Sequence, residues 1–325
     1  MQELHVTENE AGQRLDKLLA KFLNEAPKSF LYKMMRKKNI VLNGKKCTGN
    51  EKLKQGDSIK LFFSDETIEK FSVGNHTETK VVKTKMLPIV YEDAQILLMN
   101  KPVGVLSQKA KDSDVSAVEI LIAYLMKSNQ LSEAQLRTFH PSICNRLDRN
   151  TSGILVAGKT LPALQEMNRF FKERTIAKYY RCLVKGNVKK GAYIKGYLVK
   201  DKKTNKVSIS KTKFGDCVPI ETEYRVIANN NEVSLLEVHL ITGKTHQIRA
   251  HLASVGHPII GDYKYGDKRI NDEYQKLYGL KSQLLHAYRL EMPTSNGVLA
   301  YLEGKTFVAE LPEKFETICR DKGVI

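Results

Sequence analysis

The order of strand-like and helical segments is the feature that most restricts the fold of this 325-residue chain. After residue 86, short apolar strand-like segments often follow one another without an intervening helix. A doubly wound parallel sheet needs strands and helices that alternate strictly. We therefore expect an α+β protein with a mixed, largely antiparallel sheet flanked by helices. The strand-like segments are 96–99, 153–157, 179–184, 220–226, 234–240 and 284–290.

Composition and charge limit the class of protein further. Hydrophobic residues make up 42% of the chain and charged residues 27%, which is enough for a core and excludes a wholly disordered chain. We find no membrane span, signal peptide or CxxC pair in the sequence. We therefore expect a cytoplasmic protein without membrane contact. The formal net charge of +17 predicts a polyanionic partner.

The first sixty residues are typical of a small separate domain. Apolar residues at positions 15, 18, 19, 22 and 23 share one helix face. A second helix follows, for which Ser29 is the expected N-cap, and a strand then enters a turn at Asn43-Gly44. We predict domains over residues 1–63 and 87–325, with a polar linker over 64–86.

Basic residues cluster beyond the second helix of this domain. Residues 1–63 contain 13 Lys and Arg against 7 Asp and Glu. These cations either only complement the helix C-terminus or contact the polyanion, and their continuation past the helix favours contact. The candidates are Arg36, Lys37, Lys38, Lys45 and Lys46.

Residues 153–160 match the phosphate-loop pattern GxxxxGK[ST]. The four middle residues are Ile, Leu, Val and Ala, which favour a buried strand rather than an exposed turn. The residues before the first glycine are polar, whereas a phosphate loop follows an apolar strand. The pattern therefore predicts a loop followed by a strand, and it disfavours a nucleotide hydrolase.

A dense polar cluster, NRLDRNTSG, covers residues 145–153 and precedes that strand. Asp148 lies between Arg146 and Arg149, and neighbouring cations favour an ionised carboxylate. The cluster by itself is equally compatible with a functional site and with a surface ion pair in a loop, which contributes little to stability.

The stretch 245–255 predicts a helix that Thr245 caps and Gly256 ends. Ile248, Leu252 and Val255 share its apolar face, and Arg249 lies off that face, where a charged residue points to solvent by default. His246 and His251 are five residues apart, a spacing that does not place two imidazoles on one helix face. We therefore expect no metal site here.

The motifs of this sequence, taken together, resemble those of the RluA/RluC/RluD-type pseudouridine synthases. Arg146-Leu-Asp148-x-x-Thr-Ser-Gly153 followed by an apolar strand looks like their catalytic signature. The other segments occur in the family's order, and together they cover nearly the whole chain apart from the linker. They are Asn100-Lys-Pro-x-Gly104, Lys178-Tyr-Tyr180, Thr242-Gly-Lys-Thr-His-Gln-Ile-Arg-Ala-His251, Gly261-Asp-x-x-Tyr-Gly266 and Leu285-His-Ala287.

The N-terminal unit is similar to an S4 RNA-binding domain, which many members carry. The similarity rests on Arg14-Leu-Asp-Lys-Leu-Leu19, Val41-x-Asn43-Gly44 and Gly56-Asp57. Two positions depart from the family pattern. Asn145 stands where the family often has His, and Lys244 stands where it usually has Arg, so the planar fork of the guanidinium is lost there.

The resemblance implies roles for particular residues. Asp148 would be the catalytic carboxylate, Arg249 its cation, and Tyr180 the ring that packs against the base. Arg146 would fill the space left when the uridine leaves its stack, and Ile248 would line the pocket. The alternatives are that Arg146 only supports Asp148 electrostatically, that Tyr180 is an ordinary sheet residue and that Ile248 is plain core.

The resemblance therefore implies an enzyme that isomerises specific uridines of structured RNA, with large-subunit (23S) ribosomal RNA as the expected substrate. The fold would be a small S4-like domain followed by a pseudouridine synthase domain. The reaction needs no group donor, so we expect no cofactor, nucleotide or metal, and we assume a monomer. The alternative is a non-catalytic RNA-binding ribosome-assembly factor on the same scaffold.

Overall fold

The computed structural model describes residues 1–72, 86–201, 204 and 206–325. The N-terminal unit, residues 1–72, contains a four-stranded antiparallel sheet with strand order β1-β4-β2-β3. Its elements are β1 (Gln2–His5), α1 (Leu15–Phe22), α2 (Lys28–Arg36), β2 (Ile40–Leu42), β3 (Lys45–Lys46), β4 (Ser58–Leu61) and α3 (Asp65–Ser72).

Local sequence explains most of this unit. The predicted apolar face of α1 is buried in the core of the unit. Asn43 and Gly44 both have positive φ, 50° and 71°, as a two-residue hairpin turn of type I′ requires. The expected N-cap Ser29 is wrong. Helix α2 begins at Lys28, directly after Pro27, whose φ of −57° is already close to the helical value.

The predicted linker differs from the structure at its start. Residues 65–72 form α3, because Ile68 is buried in the core of the N-terminal unit and Phe71 packs on Phe30 with ring centroids 4.6 Å apart. The polar composition hid an amphipathic helix. Residues 73–85 of the predicted linker lie outside the described residues.

The second unit, residues 86–325, holds the larger sheet and its helices. Its strands are β5 (Ile89–Glu92), β6 (Ile96–Lys101), β7 (Ser142–Ile143), β8 (Ser152–Gly158), β9 (Ala177–Lys185), β10 (Ala192–Lys200), β11 (Val207–Ser210), β12 (Val218–Asn229), β13 (Val233–Leu240), β14 (Leu285–Glu291) and β15 (Thr306–Val308). Its helices are α4 (Ala117–Lys127), α5 (Glu133–Leu136), α6 (Leu161–Glu173), α7 (Gln247–Ser254), α8 (Lys268–Tyr278) and α9 (Glu313–Asp321), and a 3₁₀ turn covers Ala300–Leu302.

The described strands of this sheet lie in the order β11-β10-β12-β13-β9-β14-β8-β6-β5, with β15 on β14 and β7 on β8. Strands β14 and β8 pair in parallel, and the other described pairs are antiparallel. The predicted mixed, largely antiparallel sheet of an α+β protein is thus confirmed. Its main core packs the sheet against α4 and α7.

The phosphate-loop lookalike is a strand, as the apolar residues predicted. All seven residues of β8 are buried, and β8 pairs with β6. The lysine of the pattern, Lys159, forms an ion pair with Glu92 at 2.8 Å, and Thr160 caps α6 through the amide of Ala163. Because this segment is a paired, buried strand, it forms no loop in which backbone amides could surround a phosphate.

The two units touch at one end of the second unit. The Thr138 hydroxyl donates a hydrogen bond to the Glu10 carboxylate at 2.6 Å. The guanidinium of Arg137 lies 4.1 Å from the centre of the Phe22 ring and donates to the Ser72 hydroxyl at 3.3 Å. Helices α1 and α3 thus both contact the segment after α5.

Candidate active site

The loop between β7 and β8 carries Asp148 and is fixed to its surroundings on both sides. The Ser107 hydroxyl accepts from the Leu147 amide at 3.0 Å and donates to the Leu147 carbonyl at 2.8 Å. The side-chain amide of Asn145 bonds both Ile154 and Val156 of β8, at 3.0 and 2.9 Å. Asn145, one of the two departures from the family pattern, therefore ties the loop to the buried strand.

Lys101 also fixes this loop in place. Its side chain is fully buried, and its ammonium donates to three backbone carbonyls, those of Pro102, Val105 and Arg149, at 3.0 to 3.1 Å. Burial lowers the pKa of Lys101 to about 8, against the opposing attraction of Asp148. The lysine therefore joins the turn after β6 to the residue that follows Asp148.

Asp148 forms an ion pair with Arg249 of α7, with the Arg249 Nη1 2.9 Å from its Oδ2. The other side of the same guanidinium donates two hydrogen bonds to Asp262, at 2.7 and 2.9 Å. Exposure rises along this chain of charges, from 1% for the Asp262 side chain through 9% for Arg249 to 27% for Asp148. The carboxylate that faces the cavity is thus the outer end of a buried network.

The network keeps Arg249 charged. Burial alone opposes the charge, but the hydrogen bonds and the charge of Asp262, joined by those of Asp148, outweigh it and raise the pKa of Arg249. A buried guanidinium between two carboxylates offers the ionised Asp148 a fixed partner that needs no rearrangement.

His246 also lies near Asp148, with its Nε2 3.8 Å from the same Oδ2 that Arg249 contacts. The Tyr265 hydroxyl accepts a hydrogen bond from the Val207 amide at 3.0 Å and lies 2.9 Å from His246 Nδ1. Burial lowers the pKa of His246, which favours the neutral ring. In the tautomer whose proton is on Nε2, the ring would face Asp148 with its N–H and accept a hydrogen bond from Tyr265 at Nδ1.

A cavity of about 750 Å³ opens in front of Asp148. Tyr180 of β9 and Ile248 of α7 line it with buried side chains. Burial raises the pKa of Tyr180, and the charge of Asp148 acts in the same direction, so the phenol stays protonated. The cavity therefore presents a carboxylate, a phenol and apolar surface side by side.

Residues 95–254 match the family described as RNA pseudouridylate synthase. The ribosomal large subunit pseudouridine synthase C of Vibrio vulnificus is 33% identical over 290 residues, which cover 88% of this chain and 87% of that protein. The chain belongs to the RNA pseudouridylate synthase family. It is an RNA pseudouridine synthase. The ribosomal large subunit pseudouridine synthase D of Borreliella burgdorferi is likewise similar, with 31% identity over 78% of this chain and 74% of that protein.

A solved structure agrees with the fold of this family. Human RNA pseudouridylate synthase domain containing 4 superposes with a TM-score of 0.58 at 21% identity, over 77% of this chain and 97% of that one. At that identity the likeness concerns the fold alone.

The structure of this pseudouridine synthase brings five of the predicted site residues to one cavity. Asp148, Tyr180, Ile248 and Arg249 lie together, and Arg146 is exposed on the cavity wall. Arg146 forms no ion pair with Asp148 among the described residues, so the cation of Asp148 is Arg249 rather than a neighbour in sequence. Arg249 is buried and does not point to solvent, because Asp262 binds it inside the protein.

The predicted start of the helix that carries Arg249 needs correction. Thr245 does not cap α7. His246 takes the N-cap position with a left-handed φ of 53° and no side-chain cap hydrogen bond, and its ring instead contacts Tyr265 and lies near Asp148. Val255, expected on the apolar face, is the C-cap and is exposed.

The five predicted basic residues of the N-terminal unit lie away from this cavity. Arg36, Lys37, Lys38, Lys45 and Lys46 are all exposed, and none forms an ion pair with a described residue. Sequence reasoning assigned no role to Asp262, Tyr265 or Lys101. The sequence could have indicated these three residues, because they lie in the segments Gly261-Asp-x-x-Tyr-Gly266 and Asn100-Lys-Pro-x-Gly104 that resemble the family.

In the described part of the chain, no helix is both long and apolar enough to cross a membrane.

Proposed function

We propose that this enzyme isomerises specific uridines of large-subunit (23S) ribosomal RNA in the cytoplasm, with Asp148 as its catalytic carboxylate. The observation that carries the proposal is the Asp148–Arg249–Asp262 network at the wall of a cavity that also contains Tyr180. Several similar proteins are ribosomal large subunit pseudouridine synthases, and the net charge of +17 suits an RNA substrate.

The proposed reaction breaks the bond between ribose C1′ and base N1, turns the base and forms a bond between C1′ and C5. The Asp148 carboxylate acts by attack on C1′, by attack on the base or by removal of a sugar proton. Each route uses an ionised carboxylate held close to the sugar. Arg249 supplies the counter-charge, and the partial burial of Asp148 limits its contact with water.

The uridine reaches this carboxylate only after it leaves its stack. Tyr180 would then lie against the uracil, and Ile248 would add apolar surface. Arg146, exposed and unpaired among the described residues, would occupy the space that the base leaves in the RNA.

We further propose that residues 1–63 act as an S4-like RNA-binding domain and that the enzyme works as a monomer without cofactor. The exposed cations Arg36, Lys37, Lys38, Lys45 and Lys46 would contact RNA phosphates. The contacts of Arg137 and Thr138 with Phe22 and Glu10 would hold this domain against the catalytic unit.

The test is a pseudouridine map of ribosomal and transfer RNA from cells in which the gene carries Asp148→Asn. Asn keeps the size of the side chain but removes the charge, so we expect loss of one or a few marks in large-subunit RNA. Asp272→Asn is the matched control, because it removes an exposed acid of α8 whose partner is Lys268.

A map in which Asp148→Asn leaves every mark in place would contradict the proposed role of Asp148 and leave the ribosome-assembly alternative. Loss of marks in transfer RNA alone would overturn the proposed substrate. A map of purified transcripts after treatment with wild-type enzyme excludes a second synthase acting at the same sites.

A further inference from the structure

The walls of the cavity carry far more positive than negative charge. Among the described residues that line it, eight are Lys or Arg and one, Asp148, is acidic. Asp148 and Asp262 already neutralise the charge of Arg249. The positive charge of the other seven cations is therefore not balanced by an acidic residue of the described cavity wall. The eight cations are Lys109, Arg146, Lys172, Arg174, Lys178, Lys200, Lys244 and Arg249.

Lys178 is the cation that most needs a partner. It is half-buried in β9, and its side chain has no hydrogen-bond or ion-pair partner among the described residues. Burial lowers its pKa, and the positive charge of Arg174 lowers it further. A half-buried ammonium without a counter-ion is unfavourable, so this position favours an anion that comes from outside the chain.

The strand places Lys178 at a defined distance from the proposed base site. Side chains at i and i+2 of a strand project from the same face, about 6.6 to 6.8 Å apart. Lys178 and Tyr180 have this relation, and both line the cavity. An anion on Lys178 would therefore lie about one nucleotide step from a uracil that packs on Tyr180.

Arg174 adds a second, independent observation. It is the C-cap of α6 and has a left-handed backbone, with φ 62° and ψ 29°, a conformation that favours glycine at helix ends. Its side chain lines the cavity, is exposed and has no polar partner among the described residues. A strained non-glycine residue at the edge of a site points to a use for its side chain.

We propose that Lys178 and Arg174 together bind the phosphate adjacent to the target uridine in the substrate RNA. The inference rests on the proposed function, since it takes the uridine to lie between Asp148 and Tyr180. The phosphodiester is the anion that every flipped nucleotide brings with it. Its contact would position the sugar against Asp148 without reading the base.

The experiment measures the binding of an unmodified large-subunit RNA fragment that contains the mapped uridine, at several salt concentrations. All proteins carry Asp148→Asn so that the RNA is not converted. Lys178→Met keeps the aliphatic stem and removes the charge. We expect its affinity for the RNA to fall by about tenfold or more, because a charged hydrogen bond is lost. The slope of log affinity against log salt should fall by about 0.7 for the single phosphate released.

Two further variants guard against misfolding. Lys178→Arg keeps the charge and should restore most of the affinity. Arg174→Gly removes the side chain where glycine fits the backbone, so its thermal midpoint should equal or exceed that of the parent while RNA binding weakens. Lys276→Met is the control, because Lys276 is an exposed cation of α8 that does not line the cavity.

Neutral methylphosphonates locate the contact within the RNA. Replacing the phosphate on one side of the uridine should weaken binding of the parent protein and have little further effect on Lys178→Met. The inference is overturned if Lys178→Met binds the RNA as tightly as Lys276→Met does. It is also overturned if the parent protein and Lys178→Met lose the same affinity at each substituted phosphate. Wild-type protein that forms no pseudouridine in this fragment overturns the proposed function, and the inference with it.

Discussion

At the scale of single residues, the site consists of one carboxylate and the groups that hold its surroundings in place. Asp148 and Arg249 line the cavity, whereas Asp262 and Lys101, which hold their surroundings, do not line it. Asp262 fixes Arg249 with two hydrogen bonds, and Lys101 fixes the loop through three carbonyls. These buried groups set the position of Asp148 and Arg249. Substitutions of these groups should therefore change one property, such as kcat or the pH dependence of stability, more than RNA binding.

Asp262→Asn should lower kcat by about 10²-fold, because Arg249 loses a charged partner and a small displacement of a positioning group costs that much. The KM for RNA should change little, since Asp262 is buried behind Arg249. Steady-state kinetics measure both constants, with Asp272→Asn as the exposed control. A KM that rises while kcat stays constant would show that Asp262 acts on RNA binding instead.

Lys101 predicts a specific dependence of stability on pH. Its pKa of about 8 in the folded protein lies below the ordinary value of 10.5, so between these values the unfolded chain binds more protons. The free energy of unfolding should therefore rise with pH from about 8 to 10.5, by up to about 3 kcal/mol. Lys101→Met should lack this rise, which urea titrations at several pH values can measure. Parallel curves for the two proteins would contradict the assignment.

At the scale of elements, the parallel contact between β8 and β14 places the Asp148 loop beside the second half of the sheet. Gly153 makes this contact possible. It has a positive φ of 111°, and a Cβ at this position would lie 2.2 Å from the Ala287 carbonyl oxygen. The glycine of the signature thus serves the pairing of two strands rather than the chemistry.

Gly153→Ala should destabilise the protein by more than about 2 kcal/mol, because two buried backbones must separate. Gly215→Ala is the control, since Gly215 has a positive φ but nothing within 4 Å of a built Cβ, so it tests backbone strain alone. Urea unfolding measures the two changes. Equal losses of stability would show that strain, and not the strand contact, sets the cost.

At the scale of the whole molecule, the described part of the protein carries two basic surfaces. The cavity is lined by cations of the second unit, and the N-terminal unit adds exposed cations on β3 and after α2. The contacts of Arg137 and Thr138 join the two units, so both surfaces belong to one body. We expect the N-terminal surface to contribute affinity and the cavity to contribute the chemistry.

The double variant Lys45→Gln, Lys46→Gln should weaken RNA binding and reduce the salt slope by about 1.4 to 1.8, because two phosphate contacts are lost. Its kcat at saturating RNA should equal that of the wild type. The matched control is Lys189→Gln, Lys190→Gln, another adjacent pair of exposed lysines. Equal losses in both variants would indicate general charge attraction rather than a binding surface.

The sequence alone predicted features that depend on neighbours along the chain. The apolar periodicity of α1, the Asn43-Gly44 turn, the buried strand β8 and the mixed sheet follow from local residue types. Ordered motifs likewise identified the enzyme family. Strands β10 and β11 were missed, because β11 is a short edge strand and both are largely half-buried or exposed, which gives a weak apolar signal.

Only the tertiary structure decided which buried groups support the site, namely Asp262, Tyr265 and Lys101. Arg249 lies 101 positions after Asp148, and its burial depends on Asp262, which another loop supplies. Local pattern placed Arg249 off an apolar face and so toward solvent, whereas the fold surrounds it with two carboxylates. The family resemblance named Arg249 as the cation of Asp148, but it gave no further partner for Arg249 itself. Charge pairing between distant residues depends on three-dimensional proximity, so local periodicity could reveal neither the pair nor the part of Asp262.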